Sequence, residues 1–407
     1  MGVLRDRRFR RLLVGQVVSS VAVSALFLAL GIWAKDLTHS NALAGCVFLA
    51  LGVPTLLSPL AGHLIDRVRR RKPLLIITNA GLGAVVLTLL AVHGRPQLWL
   101  IYAVAAAAGL ATDVLGSSRS ALLKDMMSDD DLGPANALLQ TLSQGTRLLS
   151  PLFGAGMYTL LGGHGLAIVV ASLFGVASLA LSAVHVTESE PEPHTGLRLR
   201  TELMAGFRHV RSVPLLSQLA VVGALAFGVV GLFETVGFAI VDQGLHRTPS
   251  FYGVIDTVQG VGAVAGGIVS ARIMRRWGEG RTVGIGLAMI GIGAAAMIAP
   301  AMAPVLTGTV VLGFGVPLFV VGWSTGLQRY TPPRLQGRVN AAANLMLSGP
   351  QTASIGLGAT LIAIVDYRIL LLVIFAGMLV SGAILLIKPA ATTTNTHVAA
   401  PTIASAA

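Results

Sequence analysis

From Leu12 to Ala34 the chain runs without a single charged residue, and from Pro214 to Phe233 it does so again. At 1.5 Å rise per residue, about 20 helical residues cross the ~30 Å hydrocarbon core of a bilayer. Only 11% of the 407 residues are charged, and 54% are hydrophobic. Soluble domains carry about 25% charged residues. So sparse a set of charges cannot coat a water-exposed surface. A soluble enzyme, a secreted scaffold and a disordered chain are excluded, which leaves a polytopic, all-α membrane protein.

The apolar segments number twelve. They run 12–34, 42–65, 73–93, 97–118, 134–161 and 163–186, then 214–240, 250–273, 281–300, 302–327, 338–364 and 367–387. The longest connection, 187–213, is too short for a soluble domain, and the Ala/Thr-rich tail 388–407 reads as disordered. Glycine accounts for 48 residues. That excess suits membrane helices, whose backbones approach closely where side chains are small. The single cysteine, Cys46, forms no intramolecular disulfide.

The net charge of +12 is a topology signal. The N-terminus, the connections at 66–72, 119–133, 187–213, 272–281 and 329–338, and the tail hold 24 basic residues, against 4 on the opposite side. Basic residues concentrate on the cytoplasmic side of a membrane protein. Both termini are therefore expected in the cytoplasm of a multi-pass plasma-membrane protein. The same charges attract anionic lipids. A nucleic-acid partner is not expected, since no basic, aromatic-interleaved domain is present. The N-terminal arginines before an apolar run imitate a signal peptide, but that run exceeds the ~7–15 residues of a signal core. Trp33, Trp99 and Tyr102 fall at expected outer ends, where amphipathic rings anchor.

The chain also repeats itself. Ser128-Asp-Asp-Asp-Leu132-Gly-Pro-Ala-Asn136-Ala leads into span five, and Thr331-Pro-Pro-Arg-Leu335-Gln-Gly-Arg-Val-Asn340-Ala leads into span eleven. Ser150-Pro151 parallels Gly349-Pro350. The offset is about half the chain, as expected for two halves related by an axis along the membrane normal. The domains read as a six-helix half at 1–186, a linker at 187–213, a second six-helix half at 214–387 and a cytoplasmic tail at 388–407. Within the linker, Leu199, Leu203, Phe207 and Val210 recur at helical spacing between arginines, the pattern of an interfacial amphipathic helix.

Between spans two and three stands Gly62-His-Leu64-Ile-Asp66-Arg67-Val-Arg-Arg70-Arg71-Lys72. It resembles the signature loop of the major facilitator superfamily, Gly-x-Leu-x-Asp-Arg-x-Gly-Arg-Arg/Lys, with Arg69 where the family has glycine. Arg119-Ser-Ala-Leu-Leu123, Ala135-Asn-Ala-Leu138, Arg147-Leu-Leu-Ser-Pro151-Leu-Phe-Gly154 and the linker from Glu202 to Pro214 resemble its macrolide- and siderophore-exporter branch. The resemblance implies the twelve-helix fold, transport by alternating access, and a latch between halves formed by Gly62, Asp66, Arg67, Arg70 and Arg71. Asp66 also has its own physical reading. A carboxylate at a helix C-terminus is unfavourable toward its own dipole. It gains by meeting another helix's N-terminus, and span eleven begins on the same side; the alternative is a solvated loop carboxylate.

Charges inside spans are functional hypotheses by default. Arg147 lies near the centre of span five, at the depth of a midplane substrate site. Asp113 lies in span four, toward the cytoplasmic side. Glu234 and Asp256 lie in the outer parts of spans seven and eight, where exposure at an outer mouth is the competing reading. Gln16 and Gln144 join them as candidates for the substrate or proton pathway. Ser20, Asn79, Gln140, Gln259, Asn344 and Gln351 are open to the same use, though helix-packing hydrogen bonds explain such residues equally. The resembling branch commonly has an acidic residue at the position of Val23, so Arg147 lacks that partner and Asp113 is expected to replace it. Gly262 and Gly266 mark a packing seam, since no strand precedes them to make a nucleotide loop.

No metal-ligand spacing, nucleophile elbow or phosphate loop appears, so neither an enzyme nor a metal or cofactor is expected. The reading is a monomeric secondary transporter that exports an amphipathic small molecule, drug-like or metabolite, in exchange for protons. The alternatives are a proton- or solute-coupled importer of the same fold and a non-transporting membrane receptor.

Overall fold

The structure is a computed structural model that describes residues 6–56, 71–127, 129–184, 186, 199–332 and 335–387. Among them there is helix and no strand. Helix α1 (Arg7–Thr38) starts where the Asp6 carboxylate accepts from the Arg8 amide at 2.7 Å. It stops at His39, whose φ of 54° lies in the left-handed region. Ser40 caps the next helix, α2 (Asn41–Thr55), by accepting from the Leu43 amide. Then follow α3 (Arg71–Leu87) and α4 (Leu98–Met126). The helical stretch Asp129–Ser182 is broken by Gly162, at φ 69° and ψ −178°. Only glycine occupies that region without strain, so the stretch is two helices, α5 (129–161) and α6 (163–182).

The linker helix α7 (Leu199–Ser212) forms as its spacing requires. It also packs on protein. Gly206 packs against the Arg338 carbonyl and the Ala342 side chain, Val210 is buried, and the His209 Nε2 lies 3.0 Å from the Tyr330 carbonyl. Gly206 and Val210 thus face protein, while Met204, Arg208 and Arg211 remain exposed. Burial, with the nearby Glu279 charge, raises the Tyr330 phenol above its ordinary value.

Helix α8 (Pro214–Val230) is interrupted at Gly231–Leu232 and resumes as the short α9 (Phe233–Ala239), which runs into a π-helical turn at Ile240–Gly244. The stretch Tyr252–Ala296 breaks at Gly278 (φ 77°, ψ 174°) into α10 (252–277) and α11 (279–296). Helices α12 (Met302–Arg329), α13 (Gln336–Leu361) and α14 (Tyr367–Ile387) complete the fold.

Among the described residues, eight helical stretches are long and apolar enough to cross a membrane. Two of these, Leu152–Ser182 and Pro249–Ala296, contain the glycine breaks. Asn41–Thr55 is apolar but short. Helix α13 has the length, but Arg338, Asn340, Asn344 and Gln351 make it more polar. The expected seam is present: a side chain at Gly262 or Gly266 would strike the Val310 or Phe314 carbonyl of α12. Gly313 returns the contact against Gln259.

Two ion pairs tie neighbouring helices at corresponding places. Arg71, opening α3, meets Asp125 near the end of α4 at 3.4 Å. Glu279, opening α11, meets Arg329 at the end of α12 at 2.8 Å. The second bracket has the charges exchanged. Both lie on the side of the molecule where the chain enters and leaves. Arg11 near the start of α1 reaches the Ala183 carbonyl, and Gly284 packs against Gly382 of α14.

Candidate functional site

The two parts of the chain meet at the side opposite the termini. Leu28, Ile32, Ala44 and Ala155, from the far ends of α1, α2 and α5, join a core cluster otherwise built from residues 210–385. Small residues permit the approach. A Cβ on Gly31 would stand 2.8 Å from the Phe238 ring, and one on Gly45 would stand 2.7 Å from Thr235. Across this closure the Lys35 ammonium donates to the Asp242 carboxylate at 2.6 Å. The Lys35 side chain is 7% exposed and that of Asp242 48%. Lys35 also lies 3.4 Å from the His39 carbonyl, so its charge has a second oxygen. Asp242 is presented by the π-helical turn, the kind of helix defect that recurs at functional sites.

Two turns nearer the middle of the molecule, Glu234 sits in the first turn of α9 and Asp256 in α10. Their charges act on one another, and both act on the Tyr252 phenol. Tyr252, 9% exposed, packs its ring at a tilt against Phe238 of the closure, with the centroids 4.9 Å apart. A cavity of about 30 Å³ opens between α9, α10, α11 and α12. Tyr252, Asp256 and Gln259 supply its polar wall, while Phe233, Met297 and Leu312 help form the apolar wall. Sequence placed Glu234 and Asp256 in outer parts of spans, with exposure at a mouth as the competing reading. The fold instead brings them together beneath the closure, neither of them exposed.

The remaining candidates fall elsewhere. Asp113 is half-buried in α4, with its Oδ2 shielded from solvent and without a hydrogen-bond partner among the described residues. Gln16 is half-buried in α1. Asn79 is accounted for by packing: it accepts from the Ser19 hydroxyl at 2.7 Å and donates to the Leu75 carbonyl. Of the expected latch, Arg71 is described and holds Asp125, whereas Gly62, Asp66, Arg67 and Arg70 lie outside the described residues. The side chains of Gln144 and Arg147 also lie outside them, so the expected Asp113–Arg147 pairing stands as an expectation. No group of three or more metal-ligating side chains occurs among the described residues.

Sequence reasoning missed the Lys35–Asp242 pair and Tyr252. The signal for the pair was present. Lys35 is one of the few basic residues on its side, and Asp242 ends the corresponding span of the second half. Tyr252 gave no such signal, because a tyrosine near a span end reads as an interfacial anchor.

A sequence model described as Major Facilitator Superfamily matches residues 12–242 and again 232–403. Curated protein sequences give no match. Among solved structures, the nucleoside transporter NupG superposes with a TM-score of 0.77 at 12% identity, covering 94% of this chain and 99% of its own. A peptide transporter of the POT family gives 0.76 at 14% identity, covering 93% of each chain. A bacterial homologue of the iron transporter ferroportin, in an inward-facing state, gives 0.71 at 15% identity, covering 93% and 98%. At such identities the likeness is one of fold.

Proposed function

The chain belongs to the major facilitator superfamily of transporters, and from that premise we propose that it is a secondary active transporter exporting an amphipathic small molecule against protons. It spans the plasma membrane twelve times, as six-helix halves at 1–186 and 214–387 joined by the linker 187–213. Both termini face the cytoplasm, and the 388–407 tail is cytoplasmic. This reading divides the stretches broken at Gly162 and Gly278 and counts the polar α13 and the short α2 as spans.

The observation that carries this reading is the closure on the side away from the termini. The core residues shared between the two parts and the Lys35–Asp242 pair all lie on the side away from the termini. In the proposed orientation that side is the exterior. The chain then stands closed to the outside, one of the two states that alternating access requires. Glu234 and Asp256 sit just inside the closure, where a proton held between them can be exchanged as the closure opens and shuts. An importer of the same fold is the second reading, favoured by the fact that the similar structures include nucleoside and peptide transporters. A receptor without transport is a weaker alternative, since a paired lock above buried carboxylates has no use in a static molecule.

Two further roles belong to the proposal. Asp66 latches the halves on the cytoplasmic side with Gly62, Arg67, Arg70 and Arg71. Asp113 neutralises Arg147 in the first half in place of the acid that Val23 replaces. The deciding experiment is flux of a labelled compound panel in proteoliposomes under an imposed pH gradient. Uptake into inside-out vesicles driven by an acidic lumen supports export against protons. Flux of every compound indifferent to the gradient would overturn it.

A further inference from the structure

We propose that the cavity walled by Tyr252, Asp256 and Gln259, with Glu234 beside it, is a binding site for a partly hydrated monovalent metal cation of the sodium type, which competes there with the proton.

The donor set comes first. Every polar group at the cavity is an oxygen donor or carries one: the Asp256 carboxylate, the Tyr252 hydroxyl and the Gln259 amide carbonyl, with the Glu234 carboxylate adjacent. Nitrogen and sulfur ligands suit zinc, copper and nickel, whereas oxygen ligands suit hard cations. The one sulfur on the wall, Met297, is a thioether and binds soft ions.

Charge comes second. Asp256 and Glu234 are near enough for their fields to interact, and Asp256 accepts no hydrogen bond and makes no ion pair among the described residues. A buried carboxylate without a donor or a counter-ion is costly. The independent sign of a ligand is Tyr252. It is nine-tenths buried, it lines the cavity, and its hydroxyl has no hydrogen-bond partner among the described residues. The cavity is thus lined by an unused anion and an unused hydroxyl.

Size comes third. About 30 Å³ holds two or three water-sized particles, an ion and one or two waters, given that a single water needs roughly 10–15 Å³ by the same measure. A drug-sized molecule does not fit. Magnesium retains several of its waters, and calcium takes about 6–8 oxygens, so neither suits this space and this donor count. A monovalent ion surrenders its water more readily and matches the single charge of Asp256, the one carboxylate on the cavity wall. The titratable groups on the cavity wall are Tyr252 and Asp256 from α10, and the Glu234 charge from α9 acts on both. The wall contributed by α11 and α12 is Met297, Val305 and Leu312, all apolar. Protons therefore compete at the two carboxylates, and sodium binding weakens as pH falls.

The inference rests on the reading of this chain as a cation-coupled transporter for its purpose, but its test does not require transport. The purified full chain in detergent is titrated with radioactive sodium in a scintillation-proximity assay at alkaline and at mildly acidic pH. Lithium, potassium, magnesium and calcium serve as competitors. The expected result is saturable sodium binding that weakens at least several-fold at the acidic pH. It should weaken tenfold or more in Asp256→Asn and in Glu234→Gln, and to a smaller degree in Tyr252→Phe. Thermal unfolding of each variant confirms that it is folded, and the isosteric Tyr252→Phe keeps the test informative if a carboxylate variant fails to fold. No sodium binding to the folded wild-type chain overturns the proposal. So does binding unchanged in all three variants, or binding in which calcium or magnesium displaces sodium stoichiometrically at lower concentration. Proton-driven flux with no sodium binding would overturn the cation site and leave the transporter reading intact.

Discussion

At the scale of single residues, the question is which charges hold a state and which carry chemistry. Lys35 and Asp242 hold a state. With the Lys35 side chain 7% exposed, removing Asp242 would leave the ammonium, among the described residues, with the His39 carbonyl alone. A hydrogen bond to a charged group contributes about 1.5–3 kcal/mol. Asp242→Ala should therefore shift the access equilibrium toward the state open on that side by roughly ten-fold or more, since each 1.4 kcal/mol is tenfold. Accessibility of introduced cysteines to an impermeant thiol reagent measures this. Exchanging the charges, with Lys35→Asp and Asp242→Lys together, should restore much of the wild-type protection. If neither single variant changes accessibility, the pair is ornamental. Asp113 poses a different question. Its buried, unpartnered oxygen suits the expected pairing with Arg147. An unpaired arginine in a span costs at least about 2.5–3.5 kcal/mol on insertion scales. Asp113→Asn and Arg147→Gln should each impair stability or flux, and the double variant should cost clearly less than their sum. Strict additivity would reject the pairing and direct attention to Glu234 and Asp256. These residues show what sequence can reveal at this scale. A charge inside an apolar run announces itself, and all four in-span candidates were legible. Which of them meet was not, because spans seven and eight are sequential but their facing side chains depend on the break at Gly231 and Leu232.

At the scale of the element, helix formation was the most legible property of the chain. Apolar runs of bilayer length leave the backbone no other way to satisfy its hydrogen bonds. Helix ends were less legible. The arginine-containing turn after span eight was expected as a connection, yet helix continues to the very residue Gly278, whose positive φ makes the corner. The linker helix was legible from its spacing, but not its docking onto α13, since the same stripe serves lipid or protein equally well. The seam between α10 and α12 is a sharper case. Gly262, Gly266 and Gly313 each bring one helix against a carbonyl of the other. Gly313→Val should therefore force the helices apart, at an overpacking cost of about 1–3 kcal/mol. Gly116→Val should cost less, because a Cβ at Gly116 meets nothing within 4 Å. Thermal unfolding in detergent distinguishes the two. Equal loss at both positions would show that helix propensity, rather than the seam, sets the penalty.

At the scale of the whole molecule, the apolar runs conveyed the membrane, but the sequence did not convey the access state. Charge placement fixes how a chain inserts, whereas the access state is a small difference between two packings of one chain. The exchange of charges between the Arg71–Asp125 and Glu279–Arg329 brackets bears on that difference. Glu279 at a helix N-terminus and Arg329 at a helix C-terminus both agree with the helix dipoles, while Arg71 and Asp125 at the same places oppose them. The second half is thereby the more firmly bracketed on the termini side. Movement during the cycle is then expected to fall on the first half. The closure on the far side supplies a direct test. An ideal Cβ at Gly45 stands 3.0 Å from the Thr235 Cβ, close to the ~3.8 Å of a disulfide. With Cys46 replaced by serine, Gly45→Cys and Thr235→Cys should crosslink α2 to α9 under mild oxidant. The crosslinked chain should still bind substrate presented from the termini side, should fail to turn over, and should recover on reduction. A reporter fused after Lys388 should at the same time be active only in the cytoplasm. Turnover undiminished by a complete crosslink would mean that this interface never opens, and the alternating-access reading would fall with it.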